Sequence, residues 1–293
     1  MPRQPLMIYP VQAPVRENKF DLMQTLADCL RQAEFTLQDG DVLAVSSKYA
    51  AISQGRVVEL DTVPVSGKAA YLAERYVMNP HLVELILQES NHVFGGIVHD
   101  FNGRQAGFLL THTDGVVSPN AGLDRSNIPS GKAVLFPEQP YQFAADLRQA
   151  VRAQLGTDVG VVLTDSCLMP GRLGTTGVAL ATAGFIPVRD VRGQTDLFGN
   201  AMVVTQIGVA DTLAVAAQLV MGETDEATPF AVLRHSGVRL VDREITEADV
   251  AIDWDEDIYV GALTVGLLED GAPTNTPTER HMRRVTRQGT PGD

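Results

Sequence analysis

The order in which helical and extended patterns follow one another constrains the fold of this 293-residue chain more than any other feature. Residues 42–45 are typical of a short buried strand, and residues 159–163 form a continuous apolar run like those of interior strands. The glycine-punctuated segment 93–117 predicts β-hairpins. Helical patterns cover residues 21–30, 67–77, 141–155 and 205–221, and a further helix opens at Asn79-Pro80. Because strands and helices do not alternate strictly, the sequence predicts an α+β fold with mixed or antiparallel sheets and flanking helices.

The charge and composition of the chain argue against several classes of function. The formal net charge of −13 argues against nucleic acid as a partner, because phosphate backbones are bound by basic faces. It does not exclude an anionic substrate, since divalent cations can lie between carboxylates and phosphates. No apolar run reaches the roughly 18 residues of a membrane helix, and no secretory signal is evident. The two cysteines, Cys29 and Cys167, could form one disulfide, but a reduced cytoplasmic chain without a membrane partner is the simpler expectation.

Three polar segments carry the candidate chemistry, and none belongs to a P-loop, a dinucleotide-binding glycine motif or a nucleophile elbow. Residues 120–127 combine Asp124 with amides, a hydroxyl and a cation. Asp165 and Ser166 come after the apolar run 159–163, where sheets often present ligands for hard metals or phosphate. Glu223 and two further acids follow a helix C-terminus, where they oppose the helix dipole and favour a compensating cation. The respective alternatives are an Asx-rich turn, an N-cap and an exposed loop.

Several sequence blocks together resemble a known family. The blocks lie at residues 40–60, 83–90, 120–131, 159–166, 190–200 and 210–223, of which NAGLDRSN and ADTLAVAAQLVMGE are the most distinctive. Over about residues 7–243 the chain resembles the coenzyme F420-0:gamma-glutamyl ligases. The resemblance implies an enzyme that adds L-glutamate to a deazaflavin cofactor precursor with GTP and a divalent metal, Mg or Mn, and it leaves room for a monovalent cation. It also implies an intertwined homodimer.

The resemblance assigns roles to individual positions. The metal ligands fall on Asp124, Asp165, Ser166 and Glu223. The catalytic residues implied are Asp124, Asp165 and Arg172. The guanine nucleotide contacts fall on Gln12, Ala13, Pro14, Val15, Ser47, Lys48, Asn127, Met221, Gly222, Thr224 and Asp225.

Three departures from the family pattern leave alternatives open. Ile52 stands where the family usually has lysine, and Leu168-Met169 stands where it has a Gly-Arg pair. The loss of these cations removes Coulombic support for a triphosphate. We therefore consider three hypotheses: the family's own ligase reaction, a divergent ligase joining another carboxylic acid and amino acid, and a non-catalytic homologue. The acids at the three polar segments argue against the last.

The composition also predicts a division of the chain. Residues 1–245 are expected to form the ligase-like catalytic unit, which could consist of two interleaved lobes. Residues 246–270 are first acidic and then apolar, and the stretch around residues 258–268 predicts a short strand or packed segment. Residues 271–293 are rich in Thr, Pro, Gly and Arg and predict a disordered tail.

Overall fold

The computed structural model describes residues 4–253 and 256–265. Its strands are β1 (Met7–Val11), β2 (Val42–Ser46), β3 (Val57–Glu59), β4 (His92–Phe101), β5 (Arg104–Thr113), β6 (Val116–Pro119), β7 (Lys132–Val134), β8 (Gly160–Leu168), β9 (Thr175–Ala183), β10 (Val188–Asp190), β11 (Gln206–Gly208) and β12 (Phe230–Arg234). Its α-helices are α1 (Leu22–Gln32), α2 (Ser47–Gln54), α3 (Gly67–Tyr76), α4 (Pro80–Glu89), α5 (Pro140–Leu155), α6 (Val209–Met221) and α7 (Ile258–Val265). The predicted α+β class is therefore confirmed.

The described residues divide into two compact units. The first takes its residues from Met1–Val65 and Gly122–Val250, and the second from Ser66–Ala121 and the segment that starts at Ala251. The predicted boundary at residue 245 stays a prediction, and the predicted tail, 271–293, lies outside the described residues. Within the described residues, no helix combines the length and the apolar character that crossing a membrane requires.

A five-stranded sheet with the order β1-β12-β2-β8-β9 forms the centre of the first unit. β2 and β8 are parallel, with Ser46 opposite Thr164, and the other neighbours are antiparallel. Helix α6 packs on one face of the sheet, where apolar side chains of β2, β8 and β12 are buried beneath it. This approach is close, because a Cβ at Gly177 of β9 would collide with the backbone of Ala214 in α6. Helix α5 contacts β8 and β9.

Local signals set several helix ends where the sequence predicts them. Asp21 precedes α1 and accepts a hydrogen bond from the backbone N–H of Gln24 (2.9 Å), as an N-cap does. Asn79 caps α4 in the same way, with Pro80 in the first turn. Gly156 ends α5 in the left-handed region, at φ 69°.

The second unit contains α3, α4 and the antiparallel sheet β4-β5-β6. The hairpins predicted from the glycine-punctuated segment are therefore present. The strand or packed segment predicted around residues 258–268 is helix α7 over its described part. A short apolar run does not by itself distinguish a strand from a helix, and here Asp257 accepts hydrogen bonds from the N–H groups of Tyr259 and Val260 (2.8 and 3.2 Å) at the start of a helix.

Two predicted boundaries in the first unit are wrong. β8 does not end at Leu163 but continues to Leu168, because β9 pairs with it along this extension. Asp165 and Ser166 therefore lie within the strand and not after it. The helix predicted over residues 205–221 begins at Val209, because residues 206–208 pair with β10 as strand β11.

Candidate functional site

The polar segments singled out in the sequence meet at one edge of the five-stranded sheet. β2 ends at Ser46, whose N–H donates to the carbonyl of Pro229 (2.8 Å) just before β12 begins. β1 ends at Val11, opposite Phe230 at the start of β12. Residues 12–15, 47–48 and 221–229 thus lie beside one another, next to the part of β8 that holds Asp165.

Hydrogen bonds join these segments. They run from Gln12 Nε2 to Glu226 O (3.2 Å), from Ala13 N to Ala227 O (2.9 Å), from Tyr49 Oη to Pro14 O (2.8 Å) and from Asn127 Nδ2 to Thr224 O (2.7 Å). Each bond uses a residue of a predicted nucleotide-binding segment. The segments therefore form one connected rim around the sheet edge.

Asp124 lies in this rim and is held by charge and by hydrogen bonds. Its Oδ2 is 2.6 Å from Lys48 Nζ, and its Oδ1 accepts from the N–H and the hydroxyl of Ser126 (2.7 and 2.8 Å). Its backbone bridges to Val134. Burial opposes ionisation of this half-buried carboxyl, but the Lys48 ammonium and the Ser126 donors outweigh it and lower its pKa. Asp124 is therefore ionised and already partnered by a cation.

Asp165 lies nearby in a different environment. It is half-buried in β8, and its Oδ1 accepts from the N–H of Ser166 (2.9 Å). Burial raises the pKa of Asp165 to about 6; the negative charge of Asp124 adds to the rise, and hydrogen bonds from Ser166 and Ser47 oppose it. Two neighbouring carboxyl groups with such different pKa values form an acidic pair that favours an additional positive charge.

The alternation of side chains along β8 separates the predicted metal ligands into two groups. Asp165 points to the side where Ser47 and Asp124 lie. Ser166 points to the opposite face, because its cross-strand partner Gly177 meets α6 there. Asp124 and Asp165 thus form one pair, and Ser166 belongs to the α6 side of the sheet.

Glu223 is on the α6 side as well. It follows Gly222 at the end of α6, and its Oε1 accepts hydrogen bonds from the hydroxyl of Thr175 (3.1 Å) and from Gln218 Nε2. Thr175 is opposite Leu168 in the β8–β9 ladder and so shares the face of Ser166. The two donors to a single oxygen fix the orientation of the carboxylate.

The donor chemistry of this set suits a hard divalent cation, which prefers carboxylate and hydroxyl oxygens. Within residues 4–253 and 256–265, however, no three His, Cys, Asp or Glu side chains are assembled as a group that could hold a metal. Lys48 forms an ion pair with Asp124. Because side chains alternate between the two faces of β8, Glu223 lies on the opposite face from the aspartate pair. The structure thus brings the predicted ligands to one region in two groups.

Other predicted residues are less engaged. Arg172 is exposed in the β8–β9 hairpin, where its N–H donates to Met169 O (3.2 Å), and the structure does not bring it to the aspartate pair. Val15 and Asp225 are exposed on the rim, and Met221 is buried at the end of α6. Leu168 and Met169, two of the departures from the family pattern, are exposed at the same hairpin as Arg172.

Ile52 has a structural role. Its side chain is only 4% exposed and packs with Ala51 and Val134 in a small apolar cluster that also contacts Ile128. The interpretation of Ile52 as a cation lost from a phosphate site therefore finds no support in its surroundings. Sequence reasoning counted the Ser126 hydroxyl in the segment 120–127 but gave it no role, although the Asp-x-Ser spacing is typical of an Asx turn. It missed Thr175 and Gln218, which no signal in the sequence marks.

The chain is similar to several known proteins. The sequence profile of the F420-0:gamma-glutamyl ligases matches residues 10–235. Coenzyme F420:L-glutamate ligase of Methanopyrus kandleri is 37% identical over 226 residues, 77% of this chain and 84% of that protein. The protein of the same name from Methanothermobacter thermautotrophicus is 33% identical over 215 residues, 73% and 82% of the two chains. That of Halobacterium salinarum is 38% identical over 205 residues, 68% and 76%.

Proposed function

Since the chain belongs to the F420-0:gamma-glutamyl ligase family and is an amide-forming ligase, we propose that it adds L-glutamate to the carboxylate of coenzyme F420-0 in a reaction that consumes GTP and requires a divalent metal. The observation that carries the finer part of this proposal is the Asp124–Asp165 pair on the rim where the predicted nucleotide segments meet. The identification of the family from sequence blocks is confirmed.

In the proposed reaction, a carboxylate oxygen of F420-0 attacks the γ-phosphorus of GTP, and GDP departs with the electrons of the broken P–O bond. The amine nitrogen of glutamate then attacks the carbonyl carbon of this acyl phosphate. Inorganic phosphate leaves, and the amine proton passes to solvent. Both steps need anions brought together, so most of the catalytic work is positioning and charge neutralisation.

The residues that would hold the metal are Asp124 and Asp165 on one side of β8 and Ser166 and Glu223 on the other. Magnesium or manganese bound there would neutralise the charge that develops on the phosphate oxygens. Two groups of ligands are compatible with two cations.

The protein groups of the rim have separate tasks in this proposal. Asn127 holds the 221–225 segment through the carbonyl of Thr224, so that both segments keep one arrangement around the nucleotide. Gln12 and Ala13 tie the 12–15 loop to the same segment. A proton on Asp165 would be released as positive charge arrives, because a cation favours the ionised carboxylate.

The proposed homodimer has its support in exposed apolar side chains of the first unit. Leu197 and Phe198 are almost fully exposed on the loop between β10 and β11. This loop is ordered by Asp196, whose Oδ1 accepts from the N–H groups of Phe198 and Asn200 (2.8 Å each). A rigid loop that presents large apolar residues to solvent is typical of a protein interface. Light scattering should give a dimer for the wild type and monomers for Leu197→Asp/Phe198→Asp; a monomeric wild type would refute the proposal.

The deciding experiment for the reaction is mass spectrometry of the product after incubation with F420-0, glutamate, GTP and Mn²⁺ or Mg²⁺. The expected product is heavier than F420-0 by one or more glutamyl residues, and its formation should stop when the metal is chelated. Turnover of a different acid or amino acid, with F420-0 unchanged, would favour the divergent ligase. Binding of GTP and metal without any product would favour a non-catalytic homologue.

A further inference from the structure

Lys48 has a position that the stability of its helix does not explain. It is the second residue of α2, where a cation opposes the helix dipole. Its Nζ lies 2.6 Å from Asp124 Oδ2 and donates to the carbonyl and the hydroxyl oxygens of Ser126 (3.1 and 3.0 Å). All three donors of the ammonium group are thereby used. The contacts with Asp124 and Ser126 are what hold Lys48 in place.

The three oxygens around this ammonium are a carboxylate, a carbonyl and a hydroxyl, which are ligand types that hard divalent cations prefer. The loop is tightly arranged around them, because Ser126 also donates two hydrogen bonds to the other oxygen of Asp124. An ammonium and a divalent cation repel each other strongly at such short range. Lys48 and a metal therefore compete for Asp124.

Lys48 is only partly enclosed in this place. About a fifth of its side chain is exposed (22%), and its aliphatic stem is flexible. Its attachment point at the start of α2 lies on the rim, beside the loop 12–15 that Tyr49 anchors through Pro14. An anion that binds on this rim offers the ammonium a new partner.

We propose that Lys48 is a resident counterion of the metal site, which neutralises Asp124 in the metal-free protein and moves to the phosphates of the nucleotide when nucleotide and metal bind. The inference rests on the proposed function, because it takes Asp124 as a metal ligand. It has a thermodynamic consequence. Nucleotide and metal both favour the state in which Lys48 has left Asp124, so each raises the affinity for the other.

Calorimetric titration of the full chain with Mn²⁺ alone tests the first half of the proposal. Lys48→Met removes the competing charge, and we expect Mn²⁺ to bind at least about tenfold more tightly than to the wild type. The matched control is Lys132→Met, because Lys132 makes a similar pair with Glu59 (2.9 Å) and is equally exposed (23%). This control should bind Mn²⁺ as the wild type does.

Ser126→Ala separates loss of the counterion from loosening of the loop. It removes hydroxyl hydrogen bonds of both Lys48 and Asp124 but leaves every charge in place. We expect no gain in Mn²⁺ affinity. A gain as large as that of Lys48→Met would mean that loop mobility, not charge, limits metal binding, and the counterion proposal would be overturned.

Repeating the Mn²⁺ titrations with GDP tests the coupling. GDP should raise the Mn²⁺ affinity of the wild type about tenfold more than that of Lys48→Met, because the variant has no counterion to release. Complexes of Mn²⁺ with free GDP are the same in both titrations and cancel in the comparison. Equal effects of GDP, or unchanged Mn²⁺ affinity in Lys48→Met, overturn the proposal.

Failure of the proposed metal site gives a different pattern. If Asp124→Asn leaves Mn²⁺ binding unchanged in both the wild-type and the Lys48→Met backgrounds, Asp124 is no metal ligand, and the proposed function loses its metal assignment together with this inference. If Mn²⁺ binding requires Asp124 but is indifferent to Lys48→Met, the proposed function stands and only the counterion role is overturned.

Discussion

Replacement of Asp165 by asparagine should inactivate the enzyme and yet stabilise its metal-free fold. Burial raises the pKa of this carboxyl to about 6, from an ordinary value of 3.8. A carboxyl whose pKa is higher in the folded state stabilises the fold only while it is protonated. Its contribution is therefore fully present below the unfolded-state pKa and is lost as the pH rises through the folded-state pKa.

The size of the effect follows from the same values. At about 1.4 kcal/mol per pKa unit, ionising Asp165 in the folded protein costs roughly 3 kcal/mol at neutral pH. Asparagine avoids this cost and keeps an oxygen that can accept from the N–H of Ser166. Its amide also needs a partner, so we expect a net gain of at least about 1 kcal/mol in the free energy of unfolding.

The assay is urea unfolding in EDTA at about pH 7.5 and about pH 5, where the advantage of Asp165→Asn should shrink to roughly half. Asp242→Asn is the matched control, and we expect it to destabilise the fold, because hydrogen bonds from Arg152 and Arg148 lower the pKa of that carboxyl. Mn²⁺ should stabilise the wild type but not Asp165→Asn. A variant that is no more stable than the wild type at pH 7.5, with a difference independent of pH, would refute the reasoning.

Substitutions at three positions separate the roles of individual residues. Asp124→Asn should weaken Mn²⁺ binding at least about tenfold and abolish turnover while the circular dichroism spectrum stays the same, since it removes one charged ligand from a half-buried site. Thr175→Val removes a hydrogen-bond donor to Glu223 and should weaken Mn²⁺ binding about tenfold, as measured by calorimetry. Its melting temperature in thermal unfolding should change little. Ile52→Lys should lower the free energy of unfolding in urea by about 3 kcal/mol or more, because it buries an unpaired charge. Ile52→Val should lower it by only about 1 kcal/mol. Equal stability of both variants would show that the lysine reaches solvent.

Signals in the sequence were sufficient for the fold class and for many element ends. The N-cap Asn79 and the terminal Gly156 act through the residues next to them, so local patterns predict them well. Asp21, which the sequence pattern placed inside the first helix, is its N-cap. The extension of β8 beyond Leu163 is a different matter. It depends on pairing with β9, which a local pattern does not contain. The helical state of residues 258–265 was missed for the related reason that a short apolar run is compatible with both structures.

In the candidate site, too, some residues can be identified from the local sequence and others only from the folded structure. Asp124, Asp165 and Glu223 are recognisable because acids at these places in a chain are chemically unusual, and the family resemblance then adds the nucleotide segments. The residues that orient them are not recognisable, because threonine and glutamine are common on any surface. Thr175 and Gln218 acquire a role only when α6 and β9 come together around Glu223.

The buried environment of Ile52 bears on which residues supply positive charge to the nucleotide phosphates in the proposed function. The Ile52 side chain is buried with Ala51, Val134 and Ile128, and Val134 bridges to the backbone of Asp124. Arg172 is exposed on the β8–β9 hairpin. The cation that the structure does place beside Asp124 is Lys48, whose Nζ lies 2.6 Å from Asp124 Oδ2. In the proposed function, phosphate recognition draws on Lys48 and on divalent metal, and the two are expected to act as one coupled unit.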